Sequence, residues 1–367
     1  MPIRFVQGDT RDVLPTLESG SVDCIVTSPP YFGLRDYGTG GQIGLEPTPA
    51  EFVAELVAVF REARRVLKDD GTLWLNLGDS YNSGPSGSLA GSTLGGGQAN
   101  QAASNRSDGR KAQWREGSAR ADGNVRDDGA SRRNRNGTVA LGMKHKDLIG
   151  IPWRVAFALQ ADGWYLRQDI IWSKPNPMPE SVTDRCTKAH EYLFLLSKSS
   201  RYYFDAKAIS EAVAPSTVGL LAQNVEAQAG SARVPGKTNG AMKAKAPRFG
   251  GQKYGDDDRE ESRTKSGNDY ALGDGTRNRR SVWTVATQPF KEAHFATFPP
   301  ALIEPCILAG CPVGGTVLDP FGGAGTTGLV ADRLQRNAVL IELNPEYLEI
   351  ARRRIHGDAP LLAETAA

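Results

Sequence analysis

Apolar residues recur at strand or helix spacing over most of the chain, and this recurrence lapses twice, over residues 81–147 and again over 210–281. Before the first lapse, Val22-Asp23-Cys24-Ile25-Val26-Thr27 is a short β-branched run between turn residues, which predicts a buried strand. Thr48-Pro49-Ala50-Glu51 opens a helix: Thr caps, Pro takes the first helical position and Glu the third, and Phe52, Leu56, Val59, Phe60, Ala63 and Leu67 follow at helical spacing. A linker ending at Gly71 leads into a strand from Thr72 to Leu77. The pattern continues as a helix from Pro152 to Ala161 and strands from Tyr165 to Trp172 and from Tyr192 to Leu196. Near the C-terminus it predicts a helix over Pro299–Ala309, a strand over Thr316–Leu318, a helix over Thr326–Leu334, a strand over Ala338–Ile341 and a last helix over Pro345–Ile355. Strands alternating with helices in this way predict an α/β fold with a doubly wound, largely parallel sheet.

The two lapses are polar and glycine-rich, with Gly95-Gly96-Gly97 in the first, and carry too little periodic apolar sequence to offset the entropy of ordering them. They divide the chain into 1–80, a flexible basic insert at 81–147, a continuation at 148–209, a second insert at 210–281 and a C-terminal part at 282–367. The whole chain of 367 residues has a net charge of only +2, which on its face points to no nucleic-acid partner. The distribution reverses that inference. Residues 81–147 hold 11 Lys/Arg against 6 Asp/Glu and residues 210–281 hold 12 against 9, so the inserts are basic while the remainder carries −6. Four scattered cysteines without a CxxC pair, and four histidines, fit a reducing compartment and no metal site. With no run of about 20 apolar residues and no signal-peptide pattern, the expectation is a cytoplasmic protein without a membrane partner.

Two turns carry the chemistry. In Val317-Leu318-Asp319-Pro320-Phe321-Gly322-Gly323-Ala324-Gly325-Thr326-Thr327-Gly328 a strand runs into a glycine-rich turn and a helix leaves it. Backbone there can approach a ligand closely, and the N–H groups of the helix start favour electron-rich atoms. Glu342 lies 23 residues after Asp319, near the offset of about 20 at which an acidic side chain meets ribose hydroxyls. Gly323 to Gly328 also satisfies G-x-G-x-x-G, so an NAD-binding domain competes. The carboxylate of Asp319 argues for a cationic sulfonium or ammonium ligand instead, since it would repel a pyrophosphate. The second turn is Ser28-Pro29-Pro30-Tyr31, after the predicted strand ending at Thr27. Its prolines stiffen the backbone and remove two donors, leaving the Ser28 hydroxyl, the Pro29 carbonyl and the Tyr31 ring to grip a planar ring bearing an exocyclic amine. Taken alone, it also reads as a stiff turn with Tyr31 in the core.

These residues together resemble the amino-group DNA methyltransferases that use S-adenosyl-L-methionine (SAM). The catalytic motif of that family matches Ser28-Pro29-Pro30-Tyr31, and its cofactor motif matches Phe321 to Gly325. The catalytic motif comes first in the chain, as in the circularly permuted β group. Gly8-Asp9, Trp172-Ser173-Lys174-Pro175-Asn176, His190-Glu191-Tyr192 and Thr297-Phe298-Pro299 extend the resemblance over nearly all the sequence outside the inserts. It implies a Rossmann-like class I methyltransferase sheet whose catalytic half is 1–80 continued at 148–209, with SAM binding in 282–367 and with 210–281 as either a target-recognition region or a solvated linker. By the same resemblance Asp319, Phe321, Gly323, Gly325, Thr326 and Thr327, joined by Phe298, hold the methionine part of SAM, Glu342 the ribose hydroxyls and Asp9 the adenine amine. Ser28 and the Pro29 carbonyl would pull the target amine toward a tetrahedral form while Tyr31 stacks on a base flipped from double-stranded DNA. Ser in the first position is more typical of cytosine-N4 than of adenine-N6 enzymes.

A restriction endonuclease partner or none, and a monomer or a homodimer, are equally compatible with the sequence. Cytosine C5 methylation would need a cysteine nucleophile, but Pro305-Cys306 sits inside an apolar helical pattern, which places Cys306 in the core. A SAM-dependent methyltransferase of RNA or protein amines, an NAD-binding oxidoreductase and a catalytically silent DNA-binding relative stay open at this point.

Overall fold

A computed structural model of the chain describes residues 2–33, 41–82, 143–213, 276–288, 290 and 297–358. Residues 83–142 and 214–275, the greater part of both inserts, lie outside the described residues. Two compact units separate, one formed by residues 1–205 with 281–367 and the other by 206–280. In the second, β6 (Glu211–Ala212) pairs antiparallel with β7 (Thr276–Arg277), and Glu211 accepts ion pairs from Arg277 and Arg280.

The first unit is built on one eight-stranded sheet. Its strands are β1 (Ile3–Gln7), β2 (Val22–Thr27), β3 (Leu67–Leu77), β4 (Tyr165–Ser173), β5 (His190–Ser197), β8 (Val282–Thr284), β9 (Thr316–Asp319) and β10 (Asn337–Glu342). They lie in the order β1-β10-β9-β2-β3-β5-β4-β8. All neighbours are parallel except that β5 runs against both β3 and β4. The expected doubly wound sheet is therefore present, with one strand reversed.

The helices are α1 (Thr10–Val13), α2 (Pro49–Val66), α3 (Ile151–Ala161), α4 (Pro300–Gly310), α5 (Thr326–Arg333) and α6 (Pro345–Asp358). Strand alternation sorts the side chains to two faces. Ile25, Leu73, Leu75 and Leu77 join Phe52, Leu56, Phe60, Val155 and Leu159 of α2 and α3 in one apolar core. The residues between them, Cys24, Thr72 and Trp74, meet Gly310 at the end of α4 on the other face. The capping box at the start of α2 forms as read: Thr48 Oγ1 accepts from the Glu51 amide, and the Glu51 carboxylate accepts from the Thr48 amide.

Three features depart from the sequence reading. The linker expected before Gly71 is strand from Leu67 onward, because residues 198–203 satisfy its backbone: Lys198 N donates to Gly71 O, Tyr203 N to Asp70 O and Lys198 Nζ to Leu67 O. Strand β1, which the apolar pattern did not single out, pairs beside β10, so the start of the chain completes the C-terminal half of the sheet. The three-residue β8 extends the far edge beside β4. At the first insert, Tyr81 and Leu148 form an antiparallel bridge, and the Asn82 side-chain amide donates to the carbonyls of Met143 and Lys144 at 3.1 and 3.0 Å. The described residues on either side of the first insert thus lie next to each other.

Candidate active site

The strand order puts a reversal between β9 and β2. From β9 the chain proceeds to β10 on one side, and from β2 to β3 on the other. In open α/β sheets such a switch point opens a crevice at the carboxyl ends of the strands, and both sequence turns leave the sheet there. Asp319 ends β9 and Ser28 follows β2. A hydrogen bond of 2.6 Å from Thr27 Oγ1 to Asp319 Oδ1 crosses the seam between the two halves of the chain. Glu342 at the end of β10 and Asp9 just beyond β1 line the same edge, because Gln7 pairs with Glu342 and Gly8 N donates to Glu342 O at 3.0 Å.

The cofactor half of the site is held by its own side chains. Asp319 is buried and accepts from Thr27, from Thr327 Oγ1 at 2.6 Å and from Phe321 N at 3.0 Å. Burial pushes its carboxyl up to about 6, opposed by those three donors. Thr327 therefore positions Asp319, and Thr326 is likewise engaged, its hydroxyl accepting from Arg354 at 2.9 Å. Gly325, in the left-handed region with φ 75°, caps α5. A Cβ there would strike Ala351 at 2.7 Å, so this glycine serves the packing of α5 on α6. At Gly323 an added Cβ would meet nothing nearer than 3.9 Å, which leaves the turn open on the side away from the fold. Glu342 accepts from the amides of Gly323 and Asn344, both at 2.8 Å, and burial raises its carboxyl. Phe298 stands half-buried two residues before α4.

Asp9 caps α1 and takes Arg11 through three donors, the shortest Arg11 Nη2 at 2.6 Å, and the hydrogen bonds from Arg11 hold its carboxyl below its usual range. An adenine amine at Asp9 would thus share the carboxylate with Arg11. An open glycine turn, a buried carboxylate and two further carboxylates at neighbouring strand ends form an acceptor-rich set that fits a cationic ligand bearing hydroxyls and an amine.

In the catalytic half, Ser28 Oγ lies 3.4 Å from the Tyr31 hydroxyl, which reaches Glu191 Oε2 at 2.8 Å and Asn76 Oδ1 at 3.2 Å. Gly78 makes room for this tyrosine: a Cβ there would lie 2.5 Å from the ring. Glu191 comes from the start of the reversed strand β5, whose Tyr192 pairs with Leu77, and Lys174 follows the end of β4. Antiparallel pairing thus carries both to the carboxyl edge of β3. The sequence resemblance included Lys174 and Glu191 but gave them no role, and it passed over Asn76, Gly78 and Arg354. Cys306 is buried within α4 with its thiol directed to Leu302 O at 3.6 Å, a core residue as read. Among the described residues no group of three metal-ligating side chains occurs, and no helix is long and apolar enough to cross a membrane.

Comparison with known proteins shows the family and the fold. The profile of the DNA methylase family, comprising N6 and N4 enzymes, matches residues 22–353, and the chain belongs to that family. It is a DNA methyltransferase, and the methyltransferase family uses SAM. The chain is 44% identical over 361 residues to the Type II methyltransferase M.Cfr9I of Citrobacter freundii, covering 98% of this chain and 90% of that one. It is 42% identical over 352 residues to M.SmaI of Serratia marcescens, covering 96% and 90%. In fold it is similar to the PvuII DNA methyltransferase (cytosine-N4-specific), with a TM-score of 0.54, 16% identity and coverage of 96% and 86%. It is also similar to a putative DNA modification methylase of Thermus thermophilus solved with S-adenosyl-L-methionine, with a TM-score of 0.52, 20% identity and coverage of 98% and 95%. The oxidoreductase reading, which rested on the G-x-G-x-x-G spacing, is superseded by the family assignment.

Proposed function

We propose that the enzyme methylates the N4 amine of a cytosine flipped out of double-stranded DNA at a specific site. The observation that carries this is Ser28, placed after β2 and joined across the seam to the Asp319 turn through its neighbour Thr27. A serine hydroxyl and the Pro29 carbonyl offer acceptors to the two N–H groups of an exocyclic amine. Bonding both would draw the nitrogen lone pair out of conjugation with the ring. Ser in this position supports cytosine over adenine. SAM supplies an electrophilic methyl on a sulfonium. Asp319, Phe321, Gly323 and Phe298 would hold it, with Glu342 at its ribose and Asp9 at its adenine. Gly325, Thr326 and Thr327 would shape that cradle from behind. Residues 210–281 would read the target sequence, and Lys and Arg of both inserts would take the phosphates.

Labelled SAM with duplex DNA of varied sequence, followed by digestion to nucleosides and mass analysis, tests this reading. N4-methylcytosine is the expected product, and N6-methyladenine would overturn the choice of base. Absence of label from DNA while calorimetry shows SAM bound would overturn the reading altogether. Ser28→Ala should lower methyl transfer by about a hundredfold and leave SAM affinity nearly intact, whereas Asp319→Ala should weaken SAM binding. Equal loss of cofactor affinity in both would contradict this division of roles.

A further inference from the structure

A buried ion pair stands at the catalytic end of the sheet with no part in the roles described so far. Lys174 and Glu191 are 4% and 3% exposed, and Lys174 Nζ donates to Glu191 Oε1 while lying 4.3 Å from the centre of the Trp172 ring. Such a pair is costly to desolvate, and apolar residues of the same volume would often serve stability as well or better. Its position is more informative than its energy. Glu191 uses its other oxygen, Oε2, for the Tyr31 hydroxyl at 2.8 Å and the Asn76 side-chain amide at 3.3 Å. Ser28 Oγ is 3.4 Å from the Tyr31 oxygen and is oriented as a donor to it. Two O–H groups in series therefore connect the proposed amine-binding serine to a carboxylate.

An exocyclic amine that accepts a methyl group through its lone pair becomes a methylated cation and must lose one proton to leave the neutral product. In a closed site that proton needs an acceptor. We propose that Glu191 receives it, reached through Ser28 and Tyr31, with Lys174 and Asn76 holding the carboxylate in place. One N–H proton of the methylated amine passes to Ser28 Oγ as the Ser28 proton passes to the Tyr31 oxygen and the Tyr31 proton passes to Glu191 Oε2. The nitrogen regains its lone pair, both hydroxyls are restored, and Glu191 ends as the neutral acid. Tyr31 then has a task beyond offering its ring to the base. Glu191 acts through two other side chains and is a positioning and proton-storing residue. This inference rests on the reading of Ser28 as the amine acceptor.

Single-turnover methyl transfer to duplex DNA, followed by infrared difference spectroscopy, tests it in the wild type, Tyr31→Phe and Glu191→Gln. Tyr31→Phe keeps the ring and the Lys174–Glu191 pair and removes the hydroxyl, with its contacts to Ser28, Glu191 and Asn76, so it carries the test even where Glu191→Gln, which leaves Lys174 without its partner charge, fails to fold. The expected result has three parts. Both variants bind SAM within twofold of wild type by calorimetry, both lose tenfold or more in the rate of methyl transfer, and a carboxylic-acid C=O band that accompanies turnover in the wild type is missing from each. Unchanged rates in Tyr31→Phe, persistence of the band in Glu191→Gln, or its absence from an actively methylating wild type would each overturn the relay alone. A wild type that methylates no exocyclic amine would overturn the reading of Ser28 and the relay with it.

Discussion

Asp319 is the residue whose environment most constrains the chemistry. Burial raises its carboxyl to about 6, so the group crosses between charged and neutral forms within an experimentally accessible range. A cation beside it is held by the charged form. SAM affinity should therefore be constant above that pH and fall as the pH drops through 6, by up to about tenfold per unit; calorimetry across pH 5 to 8 checks this. Asp319→Asn should bind SAM more weakly and without the pH dependence. Stability has the opposite sign. A carboxyl raised above its unfolded value favours the fold fully only below the unfolded pKa, near 4, and that contribution is lost as the pH rises through 6. Relief of the buried charge in Asp319→Asn should then stabilise the ligand-free protein at pH 8, by at most about 3 kcal/mol, as read by urea unfolding with and without SAM. The sequence made this residue visible because a carboxylate at a strand end before glycines is a local pattern. The roles of Thr327 and Gly325 were less legible, since what Thr327 donates to and what Gly325 packs against depend on the folded arrangement.

Among the elements, α3 shows how a helix is fixed by a residue far from it in the chain. Its N-cap position is Gly150, which has no side chain to offer, and the cap comes from Asp79, whose Oδ1 accepts from Gly150 N at 2.9 Å and Ile151 N at 3.1 Å. Asp79 follows Gly78, the residue that admits the Tyr31 ring, so helix α3 is tied to the end of β3 beside the catalytic turn. Asp79→Ala should cost about 1–2 kcal/mol of stability, measured by urea unfolding. Asp79→Asn, which keeps an acceptor, should cost less. Sequence periodicity located α3 to within one residue at its start but could not supply this cap, because the donor and acceptor are separated by the whole first insert. The same holds for β3, whose first residues look like a linker until the chain at 198–203 pairs with them.

For the whole molecule the decisive feature is the permuted order, in which the catalytic turn precedes the cofactor turn and β1 returns to the edge beside β10. The unit formed by residues 1–205 and 281–367 carries both turns, while the basic excess belongs to the inserts. Because Asn82 and Met143 are hydrogen-bonded neighbours, a short turn in place of residues 85–140 should leave the sheet and SAM binding intact. It should also lower DNA affinity and reduce the dependence of binding on salt concentration, as fewer phosphate contacts release fewer counterions. Unchanged DNA binding in a salt titration would show that this insert does not contact phosphates.

The sequence by itself determined the α/β alternation, the two turns that carry the chemistry and the assignment to amino-methylating enzymes. The first two are written in contiguous residues whose spacing reflects helix and strand geometry, and the third rests on the resemblance of Ser28–Tyr31 and Phe321–Gly325 to the motifs of a known family. Only the tertiary structure decided that Thr27 and Asp319, 292 positions apart, share a hydrogen bond across the switch point. It also decided that the reversed strand β5 delivers Glu191 to Tyr31, and that the end of β4 brings Lys174 to Glu191. Those contacts depend on strand order and direction, which pairing between distant segments sets and no local pattern encodes.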